Sequence, residues 1–195
     1  MKAYWWALIM IPAGLSGQIS VAPGAPPLGV SDKFVYHAKS LVVPAEFLRV
    51  GLSAGFQQLL DTPHEWGQGA EGFGRRYASS YGTTILRHSI AFGLDSALRE
   101  DPRFFRSGKT NVGERVKSAL LQALICHTDS GGRSFAFARV GGAFGAEFIS
   151  NAWRPPSVNE PGDALIRGGA TIGVNAGTNV LREFMPEIKK LFRRH

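Results

Sequence analysis

Residues 69–99 read GAEGFGRRYASSYGTTILRHSIAFGLDSALR, and this stretch decides the expected fold. It is followed by Glu100-Asp101-Pro102, and a proline pushes the residue before it out of the helical region. The pattern therefore predicts one long helix from about Gly69 to Arg99. Along this helix small residues recur at four-residue spacing in two runs, which places the members of each run on one face. They are Ala70, Gly74, Ala78, Gly82, Ser89, Gly93 and Ala97.

The same four-residue spacing of small residues appears on most other helical stretches. Glycine inside a helix costs about 0.5–1 kcal/mol relative to alanine, so a dozen such positions would cost about as much as a whole domain's stability. Close helix–helix packing must offset this cost, as in the small-xxx-small contacts of membrane helices. The glycines predicted to make such contacts are Gly51, Gly55, Gly74, Gly82, Gly93, Gly141, Gly145, Gly169, Gly173 and Gly177.

Four further helices are predicted from apolar periodicity and end signals. They run from Pro44 to Leu60, from the N-cap Asn111 to about Thr128, from Ser134 to Trp153 and from Gly162 to about Met185. No segment shows sustained period-two alternation, so a β-sheet is not expected. The expected fold class is all-α, a compact glycine-rich antiparallel bundle of about five helices with short connections.

The first residues, MKAYWWALIMIPAGLSG, place Lys2 before a short apolar run and small residues, which is typical of a secretory signal. We expect a signal peptide over residues 1–16, with cleavage after Ser16. The run is shorter than the ~20 residues of a membrane span, and Pro12 interrupts it. A Pro/Gly-rich linker is predicted over residues 17–33, before a helical domain over residues 34–195. The expected location is the periplasm or cell envelope.

The chain carries a formal net charge of +7. Five cations alternate with apolar residues near the C-terminus, namely Arg182, Lys189, Lys190, Arg193 and Arg194. Such a basic tail could lie on an anionic membrane, or it could pack on the bundle with its cations in solvent. Expected partners are an anionic membrane surface or envelope polymer and further copies of the chain, whereas nucleic acid is not favoured. Arg139, Glu147 and Arg167 favour a soluble or peripheral bundle over one in the bilayer.

No motif specifies a cofactor or a metal. GQGAEG at residues 67–72 matches a phosphate-loop pattern, but DTPHEW rather than a strand precedes it, so a helix start or a close helix contact is the preferred interpretation. The five histidines lack metal-ligand spacing. The single cysteine, Cys126, lies in an apolar stretch and is interpreted as a small buried residue.

Two sets of residues are candidates for chemistry. Glu71, His127 and Asp129 are the acid/base candidates for a hydrolase that acts on an envelope polymer; they would have to meet in one cleft. The segment Arg103-Phe104-Phe105-Arg106 interleaves cations and aromatic rings and could bind an anionic ligand. Its structural alternative is that both phenylalanines pack in the core while Asp101 pairs with a neighbouring arginine.

Four blocks of sequence carry a resemblance. WGQGAEGFGRRY (66–77), LREDPRFFRSG (98–108), HTDSGGRSFAFARVGGAFGAEFISNAW (127–153) and NVLREFMPEI (179–188) together resemble a family of uncharacterised bacterial proteins with signal peptides. The resemblance implies an exported one-domain protein of unknown function and transfers no catalytic residue.

The signal, the glycine spacing and the basic tail together favour a non-enzymatic envelope protein. It would associate with a membrane or with further copies through its small-residue helix faces and its tail. The hydrolase and the anionic-polymer-binding module are the alternatives.

Overall fold

The computed structural model describes residues 20–21 and 24–192, so the predicted signal peptide lies outside the described residues. Within these ranges the chain forms six α-helices and five short strands. The helices are α1 (Val30–Val42), α2 (Pro44–Leu59), α3 (Gly69–Ala97), α4 (Val112–Leu121), α5 (Phe137–Ser150) and α6 (Pro161–Phe192). The strands are β1 (Ser20–Val21), β2 (Glu100–Asp101), β3 (Phe104–Phe105), β4 (Ile125–Thr128) and β5 (Arg133–Phe135).

Helix α3 is the centre of the architecture. It packs against α1, α2 and α5, while α6 packs against α5 along its first part and against α4 farther along. The mostly helical character predicted from the sequence is confirmed. The structure has six helices in the described part of the chain instead of about five, and it adds a small sheet.

Helix α1 lies where the sequence predicted a linker and the start of the domain. Residues 30–33 form its first turn, and Lys33 is only 1 % exposed. The apolar side chains of this helix point outward while Lys33, His37 and Ser40 point inward. Hydrophobic periodicity predicts that the apolar face of a helix is buried. Helix α1 instead buries its polar face.

The small sheet follows α4. The helix predicted from Asn111 to Thr128 ends at Leu121, and β4 then pairs antiparallel with β5, with Ile125 opposite Phe135, and with β2. Strands β4 and β5 are too short to show alternation, which explains why the sequence did not predict them. Asn111 is the N-cap of α4, as predicted: its side chain accepts a hydrogen bond from the Glu114 amide at 3.1 Å.

Close glycine packing occurs where α5 meets its neighbours. A Cβ added at Gly141 would lie 2.7 Å from Leu94 of α3, and one at Gly145 would lie 3.2 Å from Ile90. Gly168 of α6, which the sequence did not single out, lies against the Phe144 ring of α5. These contacts join α3, α5 and α6.

Most of the other predicted packing glycines face open space. Gly51 and Gly82 make ordinary contacts with Tyr77 and Trp153, but a Cβ added at six of the positions would meet no described atom within 4 Å. These six are Gly55, Gly74, Gly93, Gly169, Gly173 and Gly177. The small-residue faces of α3 and α6 therefore point away from the bundle, contrary to the packing within the chain that their spacing suggested.

Many charged side chains are buried among the described residues, and many large apolar side chains are exposed. Among the described residues, alanine dominates the buried apolar set, and the only large apolar side chains in it are Val50, Phe104 and Phe105. Large apolar side chains lie exposed on every helix, for example Phe34 (57 %) and Leu59 (83 %). Buried charged side chains and exposed large apolar side chains are the two informative departures from the usual distribution. No described helix has both the length and the hydropathy of a membrane span.

Candidate functional site

Two neighbouring cavities lie among the polar side chains between the helices. The histidine cavity, of about 130 Å³, is lined by His37, His88, Asp95, Arg139 and Arg182 among others. The arginine cavity, of about 90 Å³, is lined by Arg154, Arg167, Glu147 and the hydroxyl residues Ser53, Ser80 and Thr83, among others. Arg49, Arg87 and Thr171 line both cavities, so the two are neighbours along one polar interior.

A chain of three side chains crosses the wall of the histidine cavity. His37 on α1 lies with its Nε2 atom 2.9 Å from Asp95 Oδ2 and its Nδ1 atom 3.0 Å from Nδ1 of His88. Both Asp95 and His88 are on α3. All three residues are buried, which explains their pairing, since an unpaired polar group would be costly at this depth.

The charge states of Asp95 and His37 set the direction of these hydrogen bonds. If the Asp95 carboxylate is ionised, His37 donates to it from Nε2. A neutral His37 then accepts at Nδ1 from Nδ1–H of His88, whereas a protonated His37 donates from Nδ1 and His88 accepts. Burial, followed by the charges of Arg87, His37 and Arg49, lowers the pKa of His88 to about 2. His88 is therefore neutral, which is compatible with either direction. Burial also raises the pKa of Asp95.

Lys33 binds the backbone of Asp95, the residue at one end of the Asp–His–His chain. Its ammonium group donates to the backbone oxygen of Asp95 at 3.1 Å and to Oδ2 of Asp129 at 2.7 Å. The contact joins the first turn of α1, the last turn of α3 and the turn after β4. One buried cation therefore holds together the two helices that carry the Asp–His–His chain and the turn after β4.

The first half of the arginine cavity joins α2 to α3. Glu46 is shared by two guanidinium groups: Arg49 donates to both of its oxygens, from Nε at 3.1 and 3.0 Å, and Arg87 lies 3.6 Å away. Thr84 accepts from the same two arginines, at 3.0 and 3.3 Å. The Glu46 carboxylate therefore serves both arginines.

The second half joins α5 to α6. Glu147 accepts from Nε of Arg167 at 2.7 Å and lies 3.4 Å from Nη2 of Arg154. Arg167 also donates to the backbone oxygen of Val158 at 2.7 Å, and Arg154 donates to Ser150 at 3.0 Å. Here too one carboxylate serves two guanidinium groups.

Other buried carboxylates have structural partners. Glu100 accepts from the amides of Phe137 and Ala138, at 3.1 and 3.0 Å, and so satisfies the N-terminus of α5. Glu183 of α6 accepts from Ser107 and from Arg115, which ties α6 to α4 and the loop before it. These two carboxylates are already occupied by backbone and side-chain donors. Among the described residues, no three His, Cys, Asp or Glu side chains group as metal ligands.

The three acid/base candidates do not meet in one cleft. Glu71, which pairs with Arg75, lies in the first turn of α3, about 36 Å by helix rise from Asp95 in its last turn. Asp129 is bound to Lys33 beside Asp95, and His127 packs on the Phe105 ring at 4.2 Å. His127 and Asp129 line one surface groove, but Glu71 is at the opposite end of α3.

The predicted anion-binding segment has little left to offer a ligand. Phe104 and Phe105 are buried, and the guanidinium of Arg103 pairs with Asp101, with an Nη2–Oδ2 distance of 2.6 Å. Only the Arg106 side chain of the four is exposed. Rings in the core cannot stack on a base, so the arrangement is the structural alternative for this segment. Cys126 is also buried, which raises its pKa to about 11.

The residues that line the two cavities went unrecognised in the sequence. His37 and His88 are 51 positions apart, and the four cavity arginines come from three helices and the segment after α5, so no local motif marks them. The available signal was charge at positions that should have been apolar. Arg87 and His88 lie inside the predicted long helix, and Glu147 and Arg167 lie inside two of the others. No family model, no curated protein and no solved structure matches this chain.

Proposed function

We propose that this protein is a non-enzymatic envelope protein that associates with a membrane through its apolar exterior and with further copies of itself. The observation that carries the proposal is the reversed distribution of polarity. In membrane proteins, charged side chains face the bundle interior and pair there, while apolar side chains face lipid. The same division is seen between the cavity arginines and the exposed side chains on α2 and α6.

Exposed apolar side chains recur on α2 and α6. On α2 the exposed residues Leu48, Leu52 and Leu59 follow helical spacing, and on α6 Leu165 and Ile166 lie exposed before the open glycines. Large contiguous apolar surfaces on a protein mark contact with a partner or a membrane. Lipid chains can cover several separate helix faces at once, because they need no surface of matching shape.

The outward small-residue faces support self-association. Gly169, Gly173 and Gly177 follow one another at four-residue spacing on α6, with open space in front of each. In lipid, such faces allow two helix backbones to approach closely. A second copy of the chain, which presents the same face, would fill that space.

The first experiment is fractionation of cells that produce the full chain. We expect the protein to stay in the membrane pellet through a high-salt wash, because salt screens charge but does not weaken apolar contact, and to be released by detergent. Leu165→Glu should weaken retention, since a charge in an apolar layer costs about 2.5–3.5 kcal/mol. Thr110→Glu, at an exposed loop position, is the matched control. Recovery of wild type in the soluble fraction would overturn the proposal.

The second experiment tests self-association. Purified protein in detergent is cross-linked and its mass is measured by light scattering, for wild type and for Gly173→Leu. The leucine meets open space within one chain but would block close approach of a second copy, so the oligomer fraction should fall. Thr110→Leu places a leucine at an exposed loop position instead and should leave the oligomer unchanged. A monomeric wild type would remove this part of the proposal.

A further inference from the structure

We propose that the histidine cavity binds a small neutral polyol, a compound that carries several hydroxyl groups on a short carbon skeleton. The cavity is lined by residues of α1, α2, α3, α5 and α6 and of the strands β2 and β4. A ligand in this cavity would therefore lie inside the bundle. The inference rests on hydrogen-bonding atoms of the interior, so it does not depend on the proposed membrane association.

Several side chains that line this cavity have polar atoms with no hydrogen-bond partner in the described part of the chain. On α3 these atoms are Nε2 of His88 and Oδ1 of Asp95, and on α6 they belong to the side chains of Thr171, Asn175 and Thr178. His88, Asp95 and Thr171 are only 9 %, 4 % and 7 % exposed. Because buried polar groups in native proteins are almost always hydrogen-bonded to protein, water or ligand, we infer that the contents of the cavity supply the partners.

The spacing of these residues favours one extended ligand. Thr171, Asn175 and Thr178 follow helical spacing on one face of α6, over about 10 Å of helix rise. His88 and Asp95 are two turns apart on α3 and span the same ~10 Å. Separate water molecules at these atoms would each have to be ordered, at an entropic cost for each, whereas a single polyol brings several hydroxyl groups together.

The hydrogen-bonding atoms require a ligand that both donates and accepts. An ionised Asp95 only accepts, whereas the amide of Asn175 offers both a donor and an acceptor. Nε2 of the neutral His88 accepts or donates, according to the direction of the bond between His37 and His88. A carboxylate ligand could only accept and an ammonium ligand could only donate, but a hydroxyl group does both.

The volume of the cavity restricts the size of the ligand. A cavity of ~150 Å³ in another protein holds one benzene molecule, which has about six non-hydrogen atoms. The histidine cavity, at about 130 Å³, accommodates a molecule of similar size. Phe104, Ala91 and Val174 also line it and offer apolar surface to the carbon skeleton of a polyol. Glycerol has the required size and chemistry.

The test is titration of the purified full chain with glycerol, followed by saturation-transfer difference NMR, after purification in buffers without polyols. We expect saturable binding of glycerol to wild type. The probe 1-propanol, which has the same carbon skeleton and a single hydroxyl group, should bind at least about tenfold more weakly, because it leaves polar atoms of the cavity without partners. Glycine, a zwitterion of similar size, should also bind more weakly than glycerol. Absence of saturable glycerol binding, or binding of 1-propanol or glycine as tight as that of glycerol, would overturn the inference.

Variants locate the binding. Thr171→Val and Asn175→Leu each replace a polar side chain by an apolar one of nearly the same size, and neither breaks a side-chain hydrogen bond to a described residue, so both should fold. Each should weaken glycerol binding at least about fivefold, because each removes a hydrogen-bonding group from the cavity. Thr110→Val makes the same change at an exposed loop position and should leave binding unchanged. Glycerol binding of wild-type strength in both cavity variants would overturn the inference. If neither variant folds, the contrast between glycerol and 1-propanol in wild type decides the question.

Discussion

Arg76, whose side chain is 0 % exposed, shows what a single buried cation does in this interior. It donates to three backbone oxygens of the loop between α2 and α3, at Thr62 (3.0 Å), Pro63 (2.8 Å) and Gly67 (2.6 Å), and to the side chain of Gln58. The loop therefore takes its shape from one guanidinium group. Lys33 acts in the same way, because its buried ammonium group joins three elements.

We predict that Arg76→Gln lowers the free energy of unfolding by about 3–5 kcal/mol, because it removes a fully buried guanidinium group on which several acceptors of the loop depend. Denaturant unfolding followed by circular dichroism measures the change. The adjacent residue provides the control: Arg75→Gln removes an exposed ion pair and should change stability by less than about 0.5 kcal/mol. Equal effects of the two variants would contradict the structural role of Arg76.

His88 should make stability depend on pH. Its folded-state pKa of about 2 lies below the ordinary value of 6.5, so its contribution is fully present above pH 6.5 and is lost as pH falls toward 2. The slope is about 1.4 kcal/mol per pH unit for one proton. Asp95 acts in the opposite direction because its pKa is raised in the folded protein. Its stabilising contribution declines as the pH rises above the pKa that Asp95 has in the unfolded chain.

The measurement is the free energy of unfolding between pH 4 and pH 7 for wild type and His88→Gln. We expect the unfolding free energy of the variant to depend less steeply on pH than that of wild type, by the equivalent of about one proton. Asp95 is present in both proteins, so its contribution cancels in the comparison. His64→Gln, whose ring is 69 % exposed, should follow the wild-type curve. Identical slopes for wild type and His88→Gln would show that His88 does not titrate with unfolding.

At the scale of elements, α3 displays two kinds of glycine only two positions apart. Gly72 lies so close to the loop before the helix that an added Cβ would be 2.2 Å from the backbone oxygen of Gly67. Gly74 faces open space. The GQGAEG sequence is therefore a helix start with a close backbone contact, which was the preferred interpretation of the motif.

We predict opposite effects of the same substitution at these two sites. Gly72→Ala should destabilise the protein by at least about 1–3 kcal/mol, because backbone must move to admit the methyl group. Gly74→Ala should stabilise it by about 0.5–1 kcal/mol through helix propensity alone. Thermal unfolding of both variants measures the difference. A destabilising Gly74→Ala would mean that this face is covered in the purified protein.

Several elements were predictable because their signals are local. The long α3, the proline that opens α2 and the N-cap of α4 each depend on residues next to one another in sequence. The strands β4 and β5 escaped prediction because a run of three or four residues shows no period. Helix α1 escaped because its amphipathic pattern is inverted, with Lys33 and His37 inward and Phe34 outward. The cavities could not be predicted, since their residues meet only after the helices pack.

The described part of the molecule combines an alanine-rich, ion-paired interior with an exterior on which large apolar side chains are exposed among charged ones. Apolar burial stabilises a protein in water by about 25 cal/mol per Å², and here much of the large apolar surface remains outside. On the C-terminal half of α6, Arg115 lies over the Phe184 ring at 4.2 Å and binds Glu187.

We predict that the purified protein carries a layer of bound detergent that a water-soluble domain would not bind. Light scattering combined with refractive index and absorbance separates the mass of detergent from that of protein. Replacing Leu52, Leu59 and Leu165 by serine should reduce the layer, because these side chains are exposed. The triple variant Thr110→Ser, Lys117→Ser and Lys189→Ser is the control at exposed polar positions. A protein that binds no detergent and stays monodisperse in buffer would contradict this expectation.

The inverted polarity also reverses the usual map of mutational tolerance. In most domains a surface accepts charge readily and a core accepts exchanges among aliphatic residues. Here the exterior should accept any aliphatic residue in place of another and reject charge, whereas the interior should reject even lysine in place of arginine, since only the planar guanidinium reaches several acceptors at once. Saturation mutagenesis of α3 would display this reversal with the period of the helix, as tolerant and intolerant positions alternate around its axis.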